Sequence, residues 1–256
     1  MLELIGVQKK FAAVKVIKCI SFTLQPGKIV GYLGPNGAGK TTTLNMAAGL
    51  LNPTEGRILY NGTPIFNHPD LHRRRIGYLQ EHSELFPFLS GYETLEMFAR
   101  LRGIAGKGLR ERIEAMLTSV DLSDSAHYPV SQYSKGMRQK VLLLASMIHD
   151  PEILFLDEPM SGLDVFSISV FREMLKLQAS RNRIILYSTH QLNTVIELCD
   201  RVLVLHKGLI HFDIPSSELK LALAGKGLDT LFQQEIFDRD SRDVAREIMT
   251  GIITGS

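Results

Sequence analysis

An apolar run, Ile29-Val30-Gly31-Tyr32-Leu33, breaks into Gly34-Pro35-Asn36-Gly37-Ala38-Gly39-Lys40-Thr41 and then into Thr42 to Leu51, a stretch of helix-forming composition. This order constrains the fold more than any other part of the chain. A strand that is apolar on both faces has to be covered on both, which calls for a parallel sheet between helices. The turn after it has the pattern G-x-x-x-x-G-K-[ST]. Its glycines let consecutive backbone N–H groups point into one concave nest for phosphate oxygens. The helix that follows turns the positive end of its dipole toward the same anion. Lys40 supplies a cation between the β- and γ-phosphates, and the Thr41 hydroxyl supplies a ligand for Mg²⁺. Gly34, Pro35, Asn36, Gly37, Ala38, Gly39, Lys40, Thr41 and Thr42 are therefore read as a nucleoside triphosphate site. A flexible turn before an ordinary helix is the competing reading, and the strand-loop-helix context weighs against it.

Two further apolar runs, Ile153 to Leu156 and Ile184 to Tyr187, share these features. Each is followed by a segment able to form a helix, which extends the core to an open, doubly wound α/β sheet. The N-terminal stretch reads differently. Leu2 to Val7, Val14 to Leu24 and Gly56 to Ile65 resemble shorter strands, with an Asn61-Gly62 hairpin signal, and predict an antiparallel sheet beside the core. Between Ser83 and Asp150 the period becomes helical. Ser90 and Glu93 have capping-box spacing, a second helix covers Gly108 to Val120, and a third follows Ser134 with Met137, Val141, Leu144 and Ile148 on one stripe. The expected fold is thus α/β: a P-loop core with a mainly parallel sheet, an N-terminal antiparallel β subdomain, and a helical subdomain inserted at about 83–150. One domain is expected over 1–212, with a C-terminal extension over 213–256 in which Asp229 to Phe237 and Ser241 to Ile253 have helical patterns.

Composition narrows the partners. Among 256 residues, 29 Lys and Arg stand against 27 Asp and Glu, a net +2, so no global charge argues for nucleic acid. The basic run Arg73-Arg74-Arg75 reads as a solvated strand edge. Cys19 and Cys199 lie in unrelated apolar segments and read as two buried free thiols in a reducing compartment. The N-terminus lacks the cationic-then-apolar pattern of a secretory signal, and no run approaches the length of a membrane span. The expectation is a soluble, cytoplasmic protein.

Asp157 and Glu158 close the run Ile153-Leu154-Phe155-Leu156. Ligand sites of open α/β sheets lie beyond the carboxyl ends of strands, which puts this acidic pair on the phosphate-loop side. Asp157 is expected to hold Mg²⁺ directly or through water, and Glu158 to polarise an attacking water.

With these in place, Tyr133-Ser134-Lys135-Gly136-Met137, Leu156-Asp157-Glu158-Pro159, Ser161-Gly162-Leu163-Asp164 and Thr189-His190 resemble the ordered motifs of the ABC ATPase family over roughly residues 2–212. Ser134 precedes Asp157 by 23 residues, the spacing the family keeps between its signature and its Walker B acid. The chain is most similar to the nucleotide-binding subunits of ABC transporters. The resemblance implies a dimer that sandwiches two ATP molecules head to tail. Ser134 and Gly136, at a helix N-terminus suited to a γ-phosphate, would face the nucleotide of the other subunit. It implies that His190 senses the γ-phosphate and organises the transition state, and that Asp164 communicates across the interface. It places Phe11 where the family has an aromatic stacked on adenine, a core phenylalanine being the alternative.

The segment Ile76-Gly77-Tyr78-Leu79-Gln80-Glu81 departs from the family pattern. Counting back from Leu85-Phe86-Pro87, the usual glutamine falls on Glu81, with Gln80 in place of a proline. Glu81 is the favoured residue toward Mg²⁺ or the attacking water, and Gln80 the alternative. The apolar stretch Leu85 to Leu89 corresponds to the place where a separate transmembrane subunit inserts a short cytoplasmic helix. The resemblance therefore implies an export-type transporter ATPase with ATP and Mg²⁺ as cofactors. It would be peripheral on the inner face of the membrane and paired as a homodimer or with a related ATPase subunit. A soluble ABC ATPase acting on a non-membrane partner is the alternative.

Overall fold

The computed structural model describes residues 1–224; the two helical patterns read beyond Asp229 lie outside them. The chain opens with a hairpin of β1 (Leu2–Phe11) and β2 (Val14–Leu24), then enters the core through β3 (Lys28–Leu33) and α1 (Lys40–Ala47). It returns to the first sheet with β4 (Glu55–Tyr60) and β5 (Thr63–Pro64). That sheet has the order β2-β1-β4-β5 and is antiparallel throughout. Asn61 and Gly62 turn β4 into β5 with φ of 48° and 78°, the left-handed pair that such a two-residue hairpin requires.

The second sheet has the order β10-β9-β3-β8-β7-β6. Its strands β6 (Ile76–Leu79), β7 (Ile153–Asp157), β8 (Ile184–Thr189) and β9 (Arg201–His206) run parallel with β3, and β10 (Leu209–Pro215) closes one edge antiparallel. Every residue of β7 and β8 is buried, the apolar runs and also the polar Asp157, Ser188 and Thr189 that end them. β6 was not foreseen as a strand, since its four residues follow the basic run directly. Arg73 and Arg74 themselves end a short helix, α2 (Pro69–Arg74), rather than a strand edge. Arg73 is drawn there by the Gly49 carbonyl, at 3.0 Å, and by Asp70.

The polypeptide between β6 and β7 forms the helical insertion: α3 (Gly91–Leu101), α4 (Leu109–Thr118) and α5 (Lys135–Met147). Ser90 and Glu93 form a complete capping box at the start of α3, with the Glu93 N–H donating to Ser90 Oγ and the Ser90 N–H to Glu93 Oε2. Leu95, Ile113, Val130, Val141 and Ile148 make a core for these helices separate from that of the sheets. After β7 come α6 (Val165–Ser180), α7 (Leu192–Leu198) and, past β10, α8 (Ser216–Ala224). The expected boundary at 212–213 falls inside β10, and Leu219 of α8 is fully buried in the core. Cys199 is buried, but Cys19 is exposed. The β1–β2 register shifts between the pairs Val7–Ile20 and Lys9–Ile17, which lets Ile17 and Ile20, three residues apart, both be buried and leaves Cys19 on the outer face. Among the described residues no helix is long and apolar enough to cross a membrane.

Candidate functional site

The loop between β3 and α1 is shaped by glycine and braced from beneath. Gly39 precedes α1 with φ 108°, a backbone that strains any side chain, and a Cβ there would lie 2.5 Å from Ile17 Cδ1, which would have to give way. Thr43 donates to the Gly39 carbonyl and accepts from the buried Tyr32 hydroxyl, which ties the first helical turn to β3. Lys40 is 7% exposed, and its ammonium donates to the carbonyls of Gly34 at 2.7 Å and Pro35 at 3.2 Å. Burial pulls the Lys40 pKa down, opposed by the nearby charges of Glu158, Asp157 and Glu81.

Those carboxylates reach Lys40 by different routes. Asp157 ends β7, where its Oδ2 accepts from Thr41 Oγ1 at 2.5 Å and its Oδ1 from Ser188 Oγ at 2.7 Å. Glu158, one residue on, is 7% exposed and adopts a left-handed backbone with φ 47°, a conformation that costs about 1 kcal/mol or more. The turn is held by its N–H donating to the Ser188 carbonyl and its carbonyl accepting from Ser161 N–H. The Glu158 carboxylate then accepts three hydrogen bonds: from Thr189 Oγ1 at 2.9 Å, from His190 N–H at 2.8 Å and from His190 Nδ1 at 2.7 Å. Nδ1 as the donor fixes the imidazole and leaves Nε2 as the ring nitrogen turned away from the carboxylate.

A cleft of about 380 Å³ opens over the loop, lined by Val16, Asn36, Gly37, Gly39, Lys40, Thr41, Thr42, Glu81 and His82. Glu81 therefore faces the cleft, whereas Gln80 turns its amide to Asn45 Oδ1 at 3.2 Å, alongside the Tyr78 hydroxyl at 2.9 Å. The oxygens gathered here, from Thr41, Asp157 and Glu81, are the hard donors that Mg²⁺ takes. Among the described residues no three His, Cys, Asp or Glu side chains cluster to hold a metal unaided.

The remaining sequence-identified residues lie apart from this cleft's lining. Ser134 caps α5, accepting from Met137 N–H, and Gly136 packs so tightly on the Gly162 carbonyl that a Cβ would come within 2.8 Å. Asp164 caps α6 through Ser167. Phe11 ends β1, 46% exposed, with the Lys9 ammonium 5.1 Å from its ring centroid. Val16, on the other strand of that hairpin, lines the cleft instead. Sequence reasoning missed the bracing by Thr43, Tyr32 and Asn45, and gave no role to Ser188 and Thr189. Thr189 enters the sequence reading only as part of the Thr189-His190 motif, and the signal for Ser188 is a hydroxyl residue ending an apolar run.

A glycine-bounded phosphate loop and helix N-terminus after β3, and a buried acidic pair after β7, two parallel strands of one sheet with β8 between them, define a P-loop nucleoside triphosphatase. Known proteins narrow the class. A family model described as ABC transporter matches residues 17–161. The chain is 35% identical over 230 residues to the ABC transporter ATP-binding protein NatA of Bacillus subtilis, covering 90% of this chain and 94% of NatA. It is 35% identical over 203 residues to the Nod factor export ATP-binding protein I of Burkholderia lata, covering 79% and 67%. A solved ATP-binding subunit of an ABC transporter superposes with a TM-score of 0.82 at 29% identity, over 91% of this chain and 98% of that one. The chain belongs to the ABC transporter family, as an ATP-binding and ATP-hydrolysing subunit.

Proposed function

We propose that two ATPase subunits, this chain paired with a second copy or a related one, close on ATP and open after its hydrolysis, driving a separate transmembrane subunit. The observation that carries this reading is the meeting of Lys40 and Thr41 with Asp157, Glu158 and His190, from three distant segments, at the ends of β3, β7 and β8. The backbone N–H groups of Gly37 to Thr41 and the Lys40 ammonium hold the phosphates. Thr41, Asp157 and Glu81 are the oxygens that would hold Mg²⁺, which when bound offsets phosphate charge. Glu158 orients a water in line with the γ-phosphorus and takes up its proton as the bond to the β-phosphate oxygen breaks, giving ADP and phosphate. Thr189 and the His190 N–H fix the carboxylate, and His190 Nε2 is the ring atom that reaches the γ-phosphate. Ser134 and Gly136, at the N-terminus of α5, present backbone N–H groups to the nucleotide of the opposite subunit. Asp164 borders that interface, and Phe11 stacks on the adenine.

Closure follows from the γ-phosphate binding both subunits at once, and its loss removes that preference. The exposed Phe86 and Phe88, the latter 89% exposed, offer an apolar face for a short helix of the transmembrane partner. That partner would hold the chain at the inner face of the membrane. An exporter is favoured because a relative at 35% identity carries export in its name. Calorimetry with Mg-ATP tests the core of the reading: the wild type binds and Lys40→Ala loses at least a hundredfold in affinity. Equal affinity would overturn it. Recovery of the chain only with ribosomes, and never with an integral membrane protein, would overturn the transport assignment.

A further inference from the structure

The residue that faces the phosphate cleft from the β6 side is a carboxylate. Gln80, immediately before it, is tied to Asn45, which sits on α1 beside Tyr78. The backbone therefore delivers the next side chain, Glu81, to the cleft wall opposite Lys40, Thr41 and Thr42. Glu81 is exposed and has no ion-pair partner within the described residues, so its charge acts on whatever enters the cleft. With Asp157 and Glu158 it makes three carboxylates around one ammonium, before any phosphate arrives. A neutral amide at this position, the residue usual in the family, would leave two.

We propose that Glu81 makes nucleotide binding conditional on the divalent cation. This rests on the reading of the cleft as the ATP site. A triphosphate without its metal brings about four negative charges toward three carboxylates, and Glu81 raises the cost of its entry. A triphosphate with its metal brings an ion for which the Glu81 oxygen is a hard ligand, directly or through water. The two effects have opposite signs, so Glu81 enlarges the factor by which the metal improves nucleotide affinity. By reciprocity, nucleotide improves metal affinity by the same factor. His82, also on the cleft wall, is the residue beside it with the opposite potential charge, so the comparison is made at one fixed pH.

Calorimetric titration of the full chain with the β,γ-imido analogue of ATP tests this, once with chelator and once with saturating Mg²⁺. A single charge a few ångströms from a phosphate in a half-solvated cleft changes affinity by about tenfold. Glu81→Gln is expected to bind the metal-free analogue about tenfold more tightly than the wild type and the metal-bound form no more tightly. The gain from Mg²⁺ then shrinks by tenfold or more. Glu81→Asp, which keeps the charge, is expected to retain most of the gain. An equal Mg²⁺ gain in wild type and Glu81→Gln, within twofold, overturns the proposal while leaving the ATP site intact. A wild type that binds the analogue under neither condition removes the ATP site and this proposal together. Glu81 is exposed and packs against no core, and Glu81→Ala provides a second neutral variant with the same expected direction.

Discussion

Replacing Glu158 with glutamine separates orientation of water from everything else the residue does. The carboxylate accepts from His190 N–H and Nδ1 through Oε1, and from Thr189 through Oε2. A glutamine oxygen placed at the Oε1 position keeps the first two bonds. Its amide nitrogen then faces Thr189 Oγ1, whose hydroxyl hydrogen rotates away so that the oxygen accepts; the same oxygen already accepts from Gln191 N–H at 3.1 Å. The Thr189 O–H gives up its acceptor, while the volume is unchanged and the left-handed turn at 158 is no worse for glutamine than for glutamate. Stability is therefore expected to fall only by that one hydrogen bond, about 1 kcal/mol, or a few degrees in melting temperature. What is lost is the charge that takes the water's proton, and general bases of this kind contribute about 10²–10⁴ in rate. The middle of that range, about 10³, corresponds to about 4 kcal/mol of barrier. Phosphate release at saturating Mg-ATP measures kcat, and calorimetry measures the nucleotide affinity, which should stay within about threefold. A kcat within tenfold of the wild type, in protein that melts normally, would refute the assignment of Glu158 as the base.

Gly77→Ala perturbs the packing of the helical insertion on the sheet. A Cβ on Gly77 would stand 2.0 Å from the Ser146 carbonyl, 2.8 Å from Leu154 Cδ2 and 2.9 Å from Pro151 Cγ. The first is backbone and cannot swing aside, so α5 has to lift from β6, and the loss should be about 3 kcal/mol in urea unfolding; less than about 1 kcal/mol would mean that this contact yields easily. His149 gives a pH signature, because burial, assisted by the field of Arg102, pulls its pKa down to about 4 while its Nε2–H donates to the Ile76 carbonyl. As pH falls below 6.5 the unfolded chain takes the proton first and the folded chain does not until about 4. Stability present above pH 6.5 is therefore lost as pH falls toward 4, by about 2 kcal/mol after allowance for partial solvent screening. His149→Gln should remove that share of the decline, and a variant whose unfolding midpoint falls with pH as steeply as the wild type's would exclude His149 as its source.

What the sequence disclosed was whatever a few neighbouring residues decide among themselves. Asn61 and Gly62 form their hairpin, Ser90 and Glu93 cap α3, and the apolar runs become buried strands, because each depends on local conformation or on burial of both faces. Cys19 misled because its segment is apolar on average, while which face of β2 looks outward is set by the pairing with β1. The choice between Gln80 and Glu81 could not be made locally either, since Asn45, on a different element, makes it. The catalytic arrangement carries the same lesson furthest. Parallel pairing sets Leu156 against Tyr187 and Asp157 against Ser188. That register alone brings Ser188, Thr189 and His190 alongside the two acids. A shift of one residue would turn Asp157 to the other face of the sheet and leave Thr41 without its carboxylate. The apolar runs Ile153 to Leu156 and Ile184 to Tyr187 do not specify that register, because within them every position is apolar whichever way it points. It is the glycine loop after β3, the left-handed turn at Glu158 and the polar ends of the strands that make only one register satisfy its hydrogen bonds. Selection of the register and assembly of the site are thus the same event.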